Sequence, residues 1–264
     1  MTHNVPPVHR DAEIVRIRES PKGYIDLELR EEAIARSARP GQFVMIRAWP
    51  EGGPILARPF DIVTADPAAG TFRLCIKVEG RGTALIASRK AGDTAVVTGP
   101  LGRAAAEPGG RGTALLLRGA GAAAAVFLAQ DARRRGVPVY TILSASTKER
   151  LVLRDLLEAA SSELLIATDD GSEGYKGSGV DLLDRLAAEG KIDRAYTCGS
   201  RRFARHVKAL DAAGVISGFL FLEGLMACGM GDCHGCAVKK ARGEGYFLVC
   251  RDGPVFAAGE VVLE

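Results

Sequence analysis

Four of the six cysteines in this 264-residue sequence fall near its C-terminal end, as CGMGDCHGC at 228–236 and then Cys250. The spacing C-x4-C-x2-C with a distant fourth thiolate is the ligand order of plant-type [2Fe–2S] proteins. Glycines at 229, 231 and 235 let such a loop wrap a bulky cluster and turn backbone N–H groups toward its sulfides. The competing assignment for Cys228, Cys233, Cys236 and Cys250 is a zinc knot. Zinc favours two pairs of similar spacing, and the x4 gap fits that poorly. His234 does not make a Rieske centre, which needs two histidine ligands, and this unit holds no second one. It reads as an exposed loop residue.

Cys75 lies in an apolar, strand-like stretch and reads as a small buried hydrophobe. Cys198 ends a predicted strand, ahead of Gly199 and a helix. Ligands gather at the carboxyl ends of parallel strands, so Cys198 is a candidate to line a site.

Three further groups suit anionic ligands. Arg58-Pro59-Phe60-Asp61 offers a guanidinium fork that matches a pyrophosphate. Gly80-Arg81-Gly82-Thr83 precedes a candidate helix, whose free N–H groups and hydroxyl attract an anion. Arg118-Gly119-Ala120-Gly121 joins a strand to a helix and can seat a dinucleotide phosphate. Each has a plain alternative, since surface arginines, Gly-Thr turns and small-residue strand–helix turns are common.

These residues need elements to position them. Ala12–Glu19, Tyr24–Leu29, Gln42–Ala48, Phe72–Val78 and Thr94–Val97 read as short strands, several with period-two alternation, separated by Gly, Pro and Asp. That pattern predicts a small antiparallel barrel or sandwich. GPLGRAAAEPGGRG at 99–112 reads as a linker. Beyond it, strands at 114–117, 137–143, 163–168 and 195–198 alternate with helices at 122–135, 149–160, 180–188 and 200–213. Such alternation predicts a parallel sheet with crossover helices, a nucleotide-binding architecture. Residues 218–264 are too few for a core of their own and call for a staple such as a metal centre. The expected fold is thus multi-domain β plus α/β, with a barrel at 1–106, an α/β domain at 107–217 and a cluster module at 218–264.

Composition excludes some functions. With 47% hydrophobic and 25% charged residues, and 35 basic against 32 acidic, the net charge is only +3. No like-charge block argues for nucleic acid or an anionic membrane. No apolar run reaches the roughly 18–20 residues of a membrane span. The start, MTHNVPPVHRDAE, lacks the order of a signal peptide, so a reducing cytoplasm is expected, with thiols rather than disulfides.

The order of the motifs resembles the ferredoxin-reductase-like flavoproteins, and among them the electron-transfer subunit of class 1B dihydroorotate dehydrogenase. The resemblance covers nearly the whole chain. It rests on PGQFVMI at 40–46, RPFDI at 58–62, GRGT at 80–83, GD at 92–93, GPLG at 99–102 and TDDGS at 168–172 with Gly177. Cys198-Gly199, EGLMACGMGDCHGC at 223–236 and VCRDGPVF at 249–256 complete it, the last two being the most specific.

The resemblance implies a FAD-binding barrel, a NAD-binding domain and a [2Fe–2S] module. It further implies docking on an FMN-containing dihydroorotate dehydrogenase subunit, as a hetero-oligomer of heterotetramer type that passes electrons through the cluster and FAD to NAD⁺. It places Arg58, Pro59, Phe60, Asp61, Lys77, Val78, Gly82 and Thr83 at the flavin, and Asp170 and Gly171 with Gly119 and Gly121 at the dinucleotide. Asp61 and Cys198 are then the catalytic candidates.

The chain departs from the family at several points. Asp61 stands where Ser or Thr is usual; if ionised it accepts hydrogen bonds only, which favours the reduced flavin. The glycine-rich loop is reduced to GAGAAAAVF, and Ser200 replaces a proline. Related subunits of ferredoxin:NAD(P) oxidoreductases or hydrogenases share the layout, often with Asp as first cluster ligand; Cys228 favours the dihydroorotate branch. A zinc-binding scaffold that kept the fold is the non-catalytic alternative.

Overall fold

The computed structural model describes residues 6–21 and 23–263. The first five residues of the N-terminal segment read above for a leader lie outside them. The first half is built from strands β1 (Val8–Glu19), β2 (Tyr24–Arg30), β3 (Phe43–Arg47), β4 (Arg58–Asp61), β5 (Thr64–Asp66), β6 (Thr71–Lys77) and β7 (Thr94–Leu101). Helix α1 (Glu32–Ser37) follows β2 and α2 (Arg81–Ala87) follows β6. All seven strands form one antiparallel sheet in the order β4-β3-β7-β1-β2-β6-β5. Its two edge strands are consecutive in sequence, so the sheet must curl on itself. The seam is made by successive amides: Ile62 N–H donates to Gln42 O at 3.1 Å and Val63 N–H to Arg73 O at 2.9 Å. A bulge between Ile14 and Arg16 lets one long strand serve both β2 and β7. The barrel interior is filled by alternating residues such as Ile14, Leu27, Leu29, Ile46, Phe72, Leu74 and Val97.

The second sheet begins with β8 (Thr113–Arg118), α3 (Ala122–Arg134), β9 (Val139–Ala145), α4 (Arg154–Ala160) and β10 (Glu163–Thr168). It continues through β11 (Tyr175–Lys176), α5 (Gly179–Ala188), β12 (Arg194–Cys198), α6 (Arg201–Ala212) and β13 (Ser217–Phe221). Strands β8 to β13 are parallel, in the order β11-β10-β9-β8-β12-β13. Buried runs such as Ala114–Leu117 are apolar on both faces because helices cover both sides. Last come β14 (Ala237–Lys239), β15 (Tyr246–Leu248), α7 (Val249–Asp252) and β16 (Val255–Ala257).

The structure shifts several expected boundaries. Residues 99–101 belong to strand β7, so the link between the two sheets begins only at Gly102. The helix expected at 149–160 starts at Arg154, because Leu151 and Val152 leave the helical path to bury themselves and Leu153 turns through φ +58°. Ser217–Phe221 is the sixth parallel strand, paired with β12, rather than an opening of the C-terminal unit. That unit is also less dependent than expected. Its strand β16 pairs antiparallel with β13, and Leu248, Val249, Cys236 and Cys250 share one apolar cluster with Phe43 and Met45 of the barrel and Leu116 and Phe203 of the α/β layer. Lys208 of α6 ties its far end down, donating to Ala258 O at 3.0 Å.

Candidate redox site

The cysteine loop leaves β13 with Leu222 N–H donating to Pro254 O at 2.9 Å, which fixes its starting direction. It then packs against the barrel: a Cβ on Gly229, whose φ is +72°, would stand 2.7 Å from Met45 Cγ. The β14–β15 hairpin and α7 bring Cys236 and Cys250 together, with their Sγ atoms 3.3 Å apart. Cys228 and Cys233 form the other side-chain pair. Backbone N–H groups point at the sulfurs: Met230 at Cys228 Sγ (3.4 Å), Gly235 at Cys233 Sγ (3.5 Å) and Cys250 at Cys236 Sγ (3.5 Å).

Burial would raise the Cys228 thiol, but the Cys233, Met230 and Asp232 amides outweigh it and bring it down to about 6. Burial and the neighbouring Cys236 push Cys250 up to about 12, so a bound cation is needed to displace that proton into solvent. Among the described residues no three His, Cys, Asp or Glu side chains gather closely enough for one ion. Two thiol pairs with amides aimed at them therefore fit a two-iron cluster, one pair on each iron, better than a mononuclear zinc.

At the barrel, β4 and the start of α2 meet. A Cβ on Gly82 would lie 2.9 Å from Arg58 Nε, so only glycine lets the guanidinium lie along the helix start. Arg58 stacks on Trp49 at 5.8 Å and donates to Leu56 O and Ala57 O. With only backbone carbonyls for partners among the described residues, the fork suits a phosphate. The Thr83 hydroxyl is already engaged: it accepts from Glu79 N–H and Gly80 N–H, both at 3.0 Å, and donates to Gly80 O. Its hydroxyl shapes the turn instead of reaching outward, which revises the direct phosphate contact expected of it.

A cleft of about 1320 Å³ runs between the three parts of the molecule. The barrel contributes Tyr24, Lys77 and Val78, the α/β sheet Arg118, Gly119, Gly121, Cys198 and Gly199, and the cysteine module Glu223, Gly235 and Cys236. Gly121 abuts the other loop so closely that a Cβ would stand 2.6 Å from the Cys198 carbonyl carbon. Asp170 and Gly171 do not line this cleft. Asp170 turns back to accept from Ser172 N–H at 2.9 Å, and Gly171 packs on Lys176. Their neighbour Asp169, which does not line the cleft either, grips Arg118 at 2.6 and 3.1 Å while Arg118 also donates to Ser144 Oγ at 3.0 Å. The Arg118 fork holds the Asp169 carboxyl below its ordinary range.

Three groups act on one another electrostatically: Asp61 at the end of β4, half-buried, Cys198 at the end of β12, buried, and Glu223, exposed just after β13. Burial, reinforced by Glu223, pushes the Asp61 carboxyl up to about 7. Burial and both carboxyls push the Cys198 thiol well above its usual value, so it stays protonated. Asp61 near neutrality is thus not the permanently ionised acceptor its sequence position suggested. Glu223 was quoted in the cysteine motif but not marked as a site residue; from the segment after β13 it lines the cleft.

Comparison with known proteins agrees with this geometry. Residues 20–105 match the family model of the oxidoreductase FAD-binding domain, and residues 223–262 that of the iron–sulfur cluster binding domain of dihydroorotate dehydrogenase B. The chain is 38% identical over 247 residues to the electron transfer subunit of dihydroorotate dehydrogenase B (NAD(+)) from Geobacillus thermodenitrificans, covering 90% of this chain and 92% of that one. It is 33% identical over 258 residues to the subunit of the same name from Desulforamulus reducens, covering 96% and 98%. Among solved structures, that of an NADH-dependent reduced ferredoxin-NADP oxidoreductase superposes with a TM-score of 0.82 at 30% identity, covering 99% of this chain and 91% of that one. Paired cysteines beside a flavin-type barrel, and identity sustained over nine-tenths of both chains, lead to one assignment: the chain belongs to the family of dihydroorotate dehydrogenase B electron transfer subunits.

Proposed function

We propose that the chain passes electrons from a partner FMN dehydrogenase that oxidises dihydroorotate, through a [2Fe–2S] cluster and FAD, to NAD⁺. The observation that carries this reading is the shared cleft: Cys236 borders the same cavity as Lys77, Val78, Cys198 and Gly119. When bound, the flavin supplies the exchange between one-electron steps at iron and hydride transfer at nicotinamide. The chain's own residues bind and orient. Cys228, Cys233, Cys236 and Cys250 hold the irons, and the Met230, Gly235 and Cys250 amides stabilise sulfur charge. Arg58 grips the FAD pyrophosphate, with Pro59, Phe60, Lys77, Val78, Gly82 and the Gly80–Thr83 turn shaping the rest of that site. Arg118, Gly119 and Gly121 receive the dinucleotide, and Asp61 and Cys198 face the flavin ring. The division into barrel, α/β and cluster parts follows this assignment of cofactors, with the last boundary moved to about 222.

The partner is the FMN-containing catalytic subunit, in a hetero-oligomer expected to be a heterotetramer. No helix among the described residues is long and apolar enough to cross a membrane. Iron and acid-labile sulfide assays, a visible spectrum and NADH titration of anaerobically purified protein test the reading. Two irons, two sulfides and one FAD per chain are expected, and stoichiometric zinc without sulfide would refute it. A second reading, a subunit serving a ferredoxin:NAD(P) oxidoreductase, is favoured by the 0.82 superposition. Co-purification from native cells separates them by the flavoenzyme that accompanies the chain.

A further inference from the structure

Tyr24 and Tyr196 are both buried, and their hydroxyls differ. Tyr196 donates to Ala106 O at 2.8 Å. Tyr24, 7% exposed, has no hydrogen-bond partner among the described residues. A buried tyrosine ordinarily finds one, because an unpaired hydroxyl costs free energy. The Tyr24 ring is held in place, packed from β2 into the apolar cluster of the α/β layer with Leu115, Leu117 and Ala123. Its hydroxyl is left at the wall of the cleft, facing Gly119. A Cβ on Gly119, whose φ is +52°, would meet one heavy atom within 4 Å beyond the turn itself, Tyr24 Oη at 3.8 Å. The space before that glycine is open, with a hydroxyl on its far side. Behind the turn, α3 starts with no side-chain cap and no acid in its first turn. That leaves amides and the positive end of the helix dipole for an anion. Burial holds the Tyr24 hydroxyl above its ordinary value, so it remains a donor.

We propose that Tyr24 is a binding residue of the dinucleotide site, its hydroxyl donating a hydrogen bond to the pyrophosphate of a nicotinamide dinucleotide seated on the Gly119–Gly121 turn. The unpaired hydroxyl and the uncapped helix each lack a partner, and one anion supplies both. The barrel thereby adds a donor to a ligand otherwise held by the α/β layer. Tyr24 pairs in register with Lys77, and Gly23 O accepts from Val78 N–H at 2.8 Å. The same backbone therefore fixes the hydroxyl and the strand end assigned to the flavin. The inference rests on the reading of the Gly119–Gly121 turn as the dinucleotide site and names a residue from outside that turn as part of it.

The test is calorimetric titration of the holoprotein with ADP-ribose, which carries the pyrophosphate but no nicotinamide and so leaves the flavin oxidised. Tyr24→Phe keeps the ring in its apolar cluster and removes only the hydroxyl. It should weaken ADP-ribose roughly tenfold, the loss expected when a hydrogen bond to a charged group is removed. KM for NAD⁺ should rise by a similar factor with kcat little changed. The melting temperature without dinucleotide should equal that of wild type, because the hydroxyl has no protein partner to lose; a structural hydroxyl would lower it. Unchanged affinity for ADP-ribose overturns the proposal, and so does a loss of affinity that comes with a lower melting temperature or lower FAD content. Wild type that binds neither ADP-ribose nor NADH overturns the assignment of the turn itself, and the proposal with it. That failure is seen in wild type alone, before any variant is compared.

Discussion

Gly121 and Cys198 meet backbone to backbone: a Cβ on the glycine would stand 2.6 Å from the Cys198 carbonyl carbon and as close to Gly199 N. The loop after β8 and the loop after β12 are therefore locked to each other. Replacing Gly121 by Ala forces one of them to move. Overpacking of this kind costs about 1–3 kcal/mol, and because both loops border the cleft, affinity for NADH should fall with stability. Thermal denaturation and NADH titration of Gly121→Ala check this; unchanged values in both would show that the two loops yield freely.

Removing the metal should act locally. Strand β16 is anchored on β13 and Lys208 ties Ala258, while the cysteine loop and the β14–β15 hairpin depend on ligation. Chelation of iron, or Cys233→Ser, is expected to expose amides of 224–250 to hydrogen exchange while 255–258 stays protected. Exchange spreading evenly through 218–263 would instead mean that the whole unit folds on its metal.

Asp61 predicts a pH-dependent stability in the flavin-free protein. Its folded value, about 7, lies above the ordinary carboxylate value of 3.8, so the folded state binds more protons than the unfolded one in between. Stability from this group is present below about 4, and is lost as pH rises through about 7, after which it levels off. Melting temperatures of wild type should fall across that window relative to Asp61→Asn. Parallel curves for the two proteins would place Asp61 in water.

Asp61→Ser restores the family's usual residue and removes the carboxyl. Above neutrality, where Asp61 loses its proton, the wild-type carboxylate accepts from a reduced ring and the serine variant should be harder to reduce. Well below neutrality, where both residues donate, the two midpoints should converge. One charge-assisted hydrogen bond is worth about 1.5–3 kcal/mol, so the alkaline difference is measurable by redox titration. Identical midpoints at high pH would remove Asp61 from the flavin.

Arg118 is partly exposed and its partner Asp169 more so, at 30% and 52% of the side chain. Such a pair adds at most about 1 kcal/mol to stability. Asp169, held below its ordinary range by Arg118, loses that small contribution as pH falls through its folded value. Arg118→Ala should therefore melt nearly as wild type yet raise KM for NAD⁺ roughly tenfold, the factor that about 1.4 kcal/mol of lost binding gives, with kcat little changed. A normal KM would assign Arg118 to bracing Ser144 and Asp169 alone.

The sequence by itself determined the cofactor chemistry and the two sheet types. The C-x4-C-x2-C spacing, period-two alternation before residue 98 and strand–helix alternation after 113 are local patterns, and each is imposed by local physics: ligand reach, strand pleat and helix pitch. The Arg58 and Gly119–Gly121 motifs, proposed here for the FAD and NAD phosphates, stand out for the same reason, since loop chemistry is written in adjacent residues.

What the sequence left unsettled depended on segments far apart in it. Curling of the first sheet rests on Ile62 and Val63 bonding to opposite edges. That Arg118 is held by Asp169 and not by Asp170 follows from which carboxyl faces it. The raised carboxyl of Asp61 comes chiefly from its burial in the packed molecule, and the stability of the cysteine unit from a strand it lends to its neighbour's sheet. Burial and long-range electrostatics are properties of the packed molecule. They appear only when the barrel, the α/β layer and the cysteine module close on one cleft.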